Sequence, residues 1–177
     1  IDVDSKYDLS RSSENEIGDL WRDLSSTLEE SLPNVFKSLV IAKTRGGGYH
    51  IYYRCSSIAG NLKLSNRYTT PQERADNPTD KIRVLIETRG EGGYVIAPPT
   101  QGYEYIQGDL SNIATITPQE RELILSIAKS FNEVEVEEPK IIINKTPTIA
   151  SPSTGLSPFE DYNQRGDVIS LLVSKSW

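Results

Sequence analysis

The chain has 177 residues, 36% apolar and 25% charged, which fits one folded domain with the start of a second and excludes a disordered or collagen-like chain. Its 19 Lys and Arg against 25 Asp and Glu leave a net charge of −6, which argues against a protein that coats nucleic acid or an anionic membrane. That charge is uneven: residues 1–36 carry 3 basic and 9 acidic side chains, 37–89 carry 10 and 4, and 90–177 carry 6 and 12, so a basic segment lies inside an acidic chain.

Ile1-Asp2-Val3-Asp4 alternates apolar and acidic residues and predicts a strand with one buried face. Ser13-x-x-Glu16 forms a capping-box pattern that predicts a helix carrying Ile17, Leu20, Trp21, Leu24 and Leu28, ended by Pro33. A short apolar strand is predicted over 37–43, then a turn at Gly46-Gly47-Gly48 into a strand at His50-Ile51-Tyr52-Tyr53-Arg54. Residues 56–80, polar and containing Pro71 and Pro78, read as a loop with at most a short helix. Residues 83–87 and 94–97 read as two strands joined by a glycine-rich return, and 103–107 as another strand. Thr117-Pro118-Gln119-Glu120 predicts a helix start, with an apolar stripe of Leu123, Ile124, Ile127 and Phe131.

Mixed helices and strands without strict alternation predict an α+β fold with a largely antiparallel sheet. The domain reading is 1–132 as one unit, 133–156 as a linker rich in Glu, Pro, Thr and Ser, and 157–177 as the start of a helical domain. Lone Cys55 excludes an internal disulfide, leaves no zinc site of ordinary spacing, and suits a reducing cytoplasmic setting. The longest aliphatic run, Leu39 to Ala42, is far too short for a membrane span, and no signal peptide is visible. With no Met at all and residue 1 already in a strand, the sequence reads as an excised segment lacking its N-terminal part.

Asp2 and Asp4, two apart on a strand, leave the same face, where their mutual repulsion is relieved by a divalent cation; hard oxygen donors suit Mg²⁺ or Mn²⁺. Taken alone, such a pair is more often a solvated strand end. Around Gly46-Gly47-Gly48 the backbone is free to approach a ligand and turn N–H groups toward an anion, with Arg45 adding charge and His50 a hydrogen bond. A plain glycine-rich hairpin turn followed by a partly buried histidine explains the same residues equally well. Alternation puts His50, Tyr52 and Arg54 on one face. Glu87 and Arg89 also share a face; Glu87 is a third carboxylate for a two-metal centre, or half of an inconsequential surface ion pair. Lys63 and Arg67 read either as ordinary loop charges or as contacts to a template strand.

Together, Ile1-Asp2-Val3-Asp4, Gly47-Gly48-Tyr49-His50 and the segment from Ile86-Glu87 through Gly92-Gly93-Tyr94-Val95-Ile96-Ala97-Pro98-Pro99 resemble the bifunctional primase-polymerase domain of the archaeo-eukaryotic primase superfamily. The form is that of phages, plasmids and other mobile elements, and the resemblance covers roughly residues 1–107. Asn61-Leu62-Lys63-Leu64 and residues 157–177 are similar to further segments of phage primases, the latter often preceding a helicase in the same chain. The resemblance implies an RNA-recognition-like sheet and template-directed primer synthesis or extension from nucleoside triphosphates on single-stranded DNA. It also implies that Asp2, Asp4 and Glu87 bind two Mg²⁺ or Mn²⁺ ions and that His50 binds the incoming nucleotide's phosphates; Arg45, Gly47 and Gly48, with Arg89 as a further contributor, are read from their residue types as positioning the triphosphate beside it. The third acid of the family is often Asp where this chain has Glu87, and Gly46 replaces a frequent Ser. The alternative is a non-catalytic module of a replication initiator that binds nucleotide or single-stranded DNA; a metal-dependent sugar-nucleotide transferase shares only Asp-x-Asp.

Overall fold

A computed structural model of the chain describes residues 1–135. Its first strand, β1 (Asp2–Val3), is short because the backbone turns after Asp4 into a single 3-10 turn at Ser5–Tyr7. The elements that follow are α1 (Asp19–Ser31), α2 (Pro33–Ser38), β2 (Val40–Lys43), β3 (Tyr49–Tyr52), β4 (Lys63–Tyr68), α3 (Pro71–Asp76), β5 (Ile82–Glu87), β6 (Glu104–Gln107) and α4 (Pro118–Lys129). The strands form one sheet in the order β4-β5-β1-β3-β2-β6, every neighbouring pair antiparallel, so the α+β antiparallel expectation holds.

Period-two alternation divides the sheet into two faces. Val3, Ile41, Tyr49, Ile51 and Ile86 point to one side and meet Leu20, Trp21, Leu24 and Leu28 of α1 and Ile124, Leu125 and Ala128 of α4. Trp21 stacks on Tyr49 with ring centroids 3.9 Å apart and planes 11° from parallel, fixing α1 against the strand that carries the histidine. The opposite face carries the polar residues singled out in the sequence.

Several local expectations fail for identifiable reasons. Helix α1 begins at Asp19, and the Ser13/Glu16 box does not form: Ser10 Oγ accepts from Asp19 N at 2.6 Å and Asp8 Oδ2 from Leu20 N at 3.0 Å, a cap supplied by an earlier loop. Ile17 is therefore outside the helix and 49% exposed. Pro33 does not only end α1; it opens α2 at the first helical position, which occupies part of the strand predicted over 37–43. Within 56–80 lie both β4 and α3, the latter opened by a Thr70/Glu73 capping box. Residues 94–97 form no strand, and Tyr94 is almost fully exposed.

The start at Thr117 forms as expected, with Thr117 and Glu120 making a complete capping box, although Leu123 faces solvent and Leu125 replaces it in the core. Glu133 N still donates to Asn66 O at 2.8 Å, so contact with the sheet continues to the first residue of the proposed linker. The remainder of that linker beyond residue 135, and 157–177, lie outside the described residues. No described helix is long and apolar enough to cross a membrane.

Candidate active site

The register places one row of residues across the sheet face opposite α1 and α4. Asp2 of β1 lies directly opposite Glu87 of β5 on one side and His50 of β3 on the other. The row continues outward to Lys63 of β4 beyond Glu87, and to Ala42 and Tyr105 beyond His50. Asp4 N donates to Leu85 O at 2.8 Å, which extends the β1–β5 ladder by one step and keeps Asp4 beside the row. Residues far apart in the sequence thus meet because three short antiparallel strands share a register.

His50 is buried, and its two ring nitrogens are both engaged: Nε2 lies 3.4 Å from Asp2 Oδ1 and Nδ1 lies 3.0 Å from the Tyr52 hydroxyl. Burial by itself pushes the Asp2 carboxyl up, but contact with His50 and the nearby positive charge, Arg89 included, together outweigh it and hold Asp2 below the usual carboxylate value. Glu87 moves the other way. Burial raises it, the nearby charges of Asp2 and Asp4 raise it further, and Arg89 and Lys63 offset only part of this. Crowding by neighbouring acids is thus expressed at Glu87, on top of its burial, and not at Asp2.

Cations already lie among them. The Arg89 guanidinium pairs with Glu87 and approaches Asp2 Oδ2 at 3.8 Å, while Lys6 Nζ is 3.1 Å from Asp4 Oδ1. Arg89 is held there by its loop. Thr88 N donates to Leu62 O and Leu62 N to Thr88 Oγ1, both at 2.8 Å, and Gly90 N donates to Asn61 Oδ1. Gly90 has no room for a side chain, since a Cβ would fall 1.9 Å from Ala59 O. The glycine-rich segment after β5 is therefore a seam against 59–62 rather than a hairpin turn.

Among the described residues no three His, Cys, Asp or Glu side chains converge closely enough to cage an ion. The donors present, carboxylate oxygens, are of the type that hard divalent cations take, and two basic side chains, Arg89 and Lys6, now pair with them.

The glycine-rich turn corrects the expected phosphate cradle. Gly47 N donates to Thr44 O at 2.9 Å and Gly48 N to Thr44 Oγ1 at 3.0 Å, so both amides are used inside the turn and neither faces a ligand. Gly47 is required by its φ of +79°, and Gly48 by a close approach in which a Cβ would stand 2.3 Å from Val3 O. The positive charge at this end is carried by side chains. Exposed Arg45 lines a surface cleft with Lys43, Arg11 and Tyr103 and with two acids, Glu16 and Glu104, and the Tyr103 ring lies 6.2 Å from that of His50. Arg11 escaped sequence reasoning: it reaches across 35 residues to donate to Gly46 O at 3.2 Å, a contact no local pattern signals.

Arg67 is likewise corrected. Only 3% exposed, it donates to Tyr7 O at 2.6 Å and Tyr68 O at 2.9 Å and forms a two-point pair with Glu73 at 2.7 and 2.9 Å. Its guanidinium ties β4 to α3 and is turned away from any template. Two compensating register irregularities, at Lys63/Ser65 and Ser65/Asn66, interrupt the ladder between the two basic residues, and Lys63 is exposed opposite Glu87.

The molecule is thus defined as an α+β protein whose antiparallel sheet is covered by helices on one face and carries an acid–histidine row on the other. Residues 1–120 match the profile of the family described as bifunctional DNA primase/polymerase, N-terminal, and the chain belongs to that family. The family is one of nucleotidyltransferases of DNA replication. No curated protein and no solved structure matches the chain.

Proposed function

We propose that the chain carries the catalytic face of a template-directed DNA primase-polymerase of a phage, plasmid or other mobile element. A primer or initiating 3′-hydroxyl attacks the α-phosphate of a nucleoside triphosphate, forming a phosphodiester bond and releasing pyrophosphate. The observation that carries this reading is the row Glu87–Asp2–His50 on three adjacent strands, with Asp4 one ladder step away.

In this reading Asp2, Asp4 and Glu87 hold Mg²⁺ or Mn²⁺, which when bound lowers the pKa of the attacking hydroxyl and offsets charge growing on the phosphate oxygens. His50 donates a hydrogen bond from Nε2 to a phosphate oxygen. Arg89, now paired with Glu87 and Asp2, turns to the triphosphate when the carboxylates take other partners, and Arg45 holds its distal end. Gly47 and Gly48 shape the turn that presents Arg45, and exposed Lys63 is the remaining candidate for template contact. A helicase region elsewhere in the same polypeptide and a cytoplasmic setting complete the proposal.

The test is primer synthesis and extension on single-stranded DNA by the full parent polypeptide with Mg²⁺ or Mn²⁺. Asp2→Asn/Asp4→Asn is expected to abolish phosphodiester formation, and His50→Ala to weaken use of nucleotide; folded variants with unchanged activity would overturn the proposal. The lack of a three-ligand cluster among the described residues favours a second reading, a module that binds nucleotide or single-stranded DNA without catalysis. That reading expects nucleotide binding with no bond formation under any metal condition.

A further inference from the structure

We propose that Tyr52 is a positioning residue that locks His50 in its Nε2–H tautomer, so that the imidazole presents a hydrogen-bond donor, never a lone pair, to the carboxylate row. The proposal rests on the nucleotide-binding role given to His50 above, but its central claim concerns where the proton sits on one ring.

Two contacts define the ring: Nδ1 to the Tyr52 hydroxyl at 3.0 Å and Nε2 to Asp2 Oδ1 at 3.4 Å. A neutral imidazole has one N–H and one lone pair. If the proton were on Nδ1, the bare Nε2 lone pair would face an ionised carboxylate, and the Asp2 contact would be repulsive. If the proton is on Nε2, it points at Asp2, and Nδ1 accepts from the Tyr52 O–H. Of the two neutral forms only the second satisfies both contacts, and a doubly protonated ring likewise turns an N–H toward Asp2.

The phenol is suited to being the permanent donor. Burial first, then the surroundings of Tyr105, Asp2 and Tyr103, push its pKa up to about 12, so it retains its proton throughout the working range. The strand enforces the geometry, because residues two apart on β3 leave the same face, and the rings meet edge to face at 5.8 Å and 88°. The 3.4 Å separation at Asp2 is long for an N–H···O bond, so the Nε2–H can turn its hydrogen bond to a phosphate oxygen, keeping its proton, without breaking a strong contact.

His50 is the only histidine of the 177 residues, which makes its ring nitrogens directly identifiable by ¹⁵N NMR of the full chain labelled at histidine. At a pH where the same spectra show the ring to be neutral, the native protein is expected to show a protonated Nε2 and an unprotonated Nδ1. In Tyr52→Phe, which keeps the ring and removes only the hydroxyl, the two tautomers are expected to mix. Affinity for Mg²⁺-dATP should then fall about fivefold, the scale of one lost hydrogen bond, with little change in kcat at saturating nucleotide. A native spectrum with the proton on Nδ1, or a Tyr52→Phe spectrum identical to the native one, overturns the proposal. Should Tyr52→Phe fail to fold, the native spectrum alone decides. A correct tautomer together with unchanged dATP affinity in His50→Ala refutes instead the nucleotide-binding role.

Discussion

Glycines 46, 47 and 48 adjoin in sequence, yet the structure assigns them three different mechanical situations, and replacing each with Ala separates them. At Gly48 the new methyl carbon would stand 2.3 Å from Val3 O, against the 3.4–4 Å of ordinary contact, and Ser5 N is 3.3 Å away. Both neighbours are backbone, so relief requires more than 1 Å of displacement in the strand that carries the acids, rather than a side-chain rotation. Overpacking of this kind costs about 1–3 kcal/mol. At Gly47 the limit is conformational: φ is +79°, where an L side chain costs about 1–2 kcal/mol. Gly46 has nothing within 4 Å and no left-handed φ, so Ala there should be neutral or stabilise by about 0.4–1 kcal/mol through the unfolded state. Urea unfolding reads these directly, since a slope of about 1–3 kcal/mol per molar converts a 2 kcal/mol loss into a midpoint shift of roughly 1 M. Gly48→Ala should also depress primer extension beyond its loss of folded protein, because the displaced backbone flanks Asp4. A Gly48→Ala midpoint equal to the native one, or Gly46→Ala as damaging as Gly48→Ala, would refute the reasoning.

Trp21→Ala should lose about 3–5 kcal/mol, because the indole is buried and stacked on Tyr49, while Trp21→Phe should retain most of that; equilibrium denaturation of both distinguishes packing from a general effect of mutation. Glu87→Gln should stabilise the fold at neutral pH while eliminating nucleotidyl transfer. With its folded pKa raised, Glu87 binds its proton more tightly in the folded state than in the unfolded one, so the native protein loses stability as pH rises from the ordinary carboxyl value of 4.5 through the folded value. The stability difference between Glu87→Gln and the native chain should therefore grow across that window and vanish below it, as followed by thermal melts over pH.

What could be read from the sequence was set by period-two alternation and by motifs whose function needs fixed spacing. His50 with Tyr52 and Glu87 with Arg89 meet as the two-residue spacing predicts, whereas Asp4 leaves the strand for the 3-10 turn and only its backbone N–H continues the ladder to Leu85. The start at Thr117 was legible because every capping partner is local. Failures arose where a partner comes from far away. The cap of α1 is supplied by Asp8 and Ser10, and the Gly90 seam is dictated by contact with Ala59. Strand β4 was masked by the polar residues Lys63, Ser65, Asn66 and Arg67, two of which are buried only because the sheet, α3 and Tyr7 enclose them. The same distance effect turned Arg67 from an expected surface cation into an internal tie. Sequence pattern alone likewise did not distinguish glycines that cradle a ligand from glycines that admit a neighbouring strand.

The placement of Asp2 on the shortest strand, flanked by hydrogen-bonded neighbours on both sides, makes the site intolerant of frame rather than of composition. Length changes elsewhere leave this strand's parity untouched, provided that the turn at Gly46–Gly48 and the seam at Gly90, which pack against the site's strands and loop, are kept. One residue inserted between Ile1 and Asp4 would instead exchange the two faces of the strand, sending a carboxylate toward the hydrophobic layer beneath Trp21 and Val3 toward solvent. Divergent relatives should therefore preserve the odd–even phase of these few positions long after the intervening chain has ceased to align.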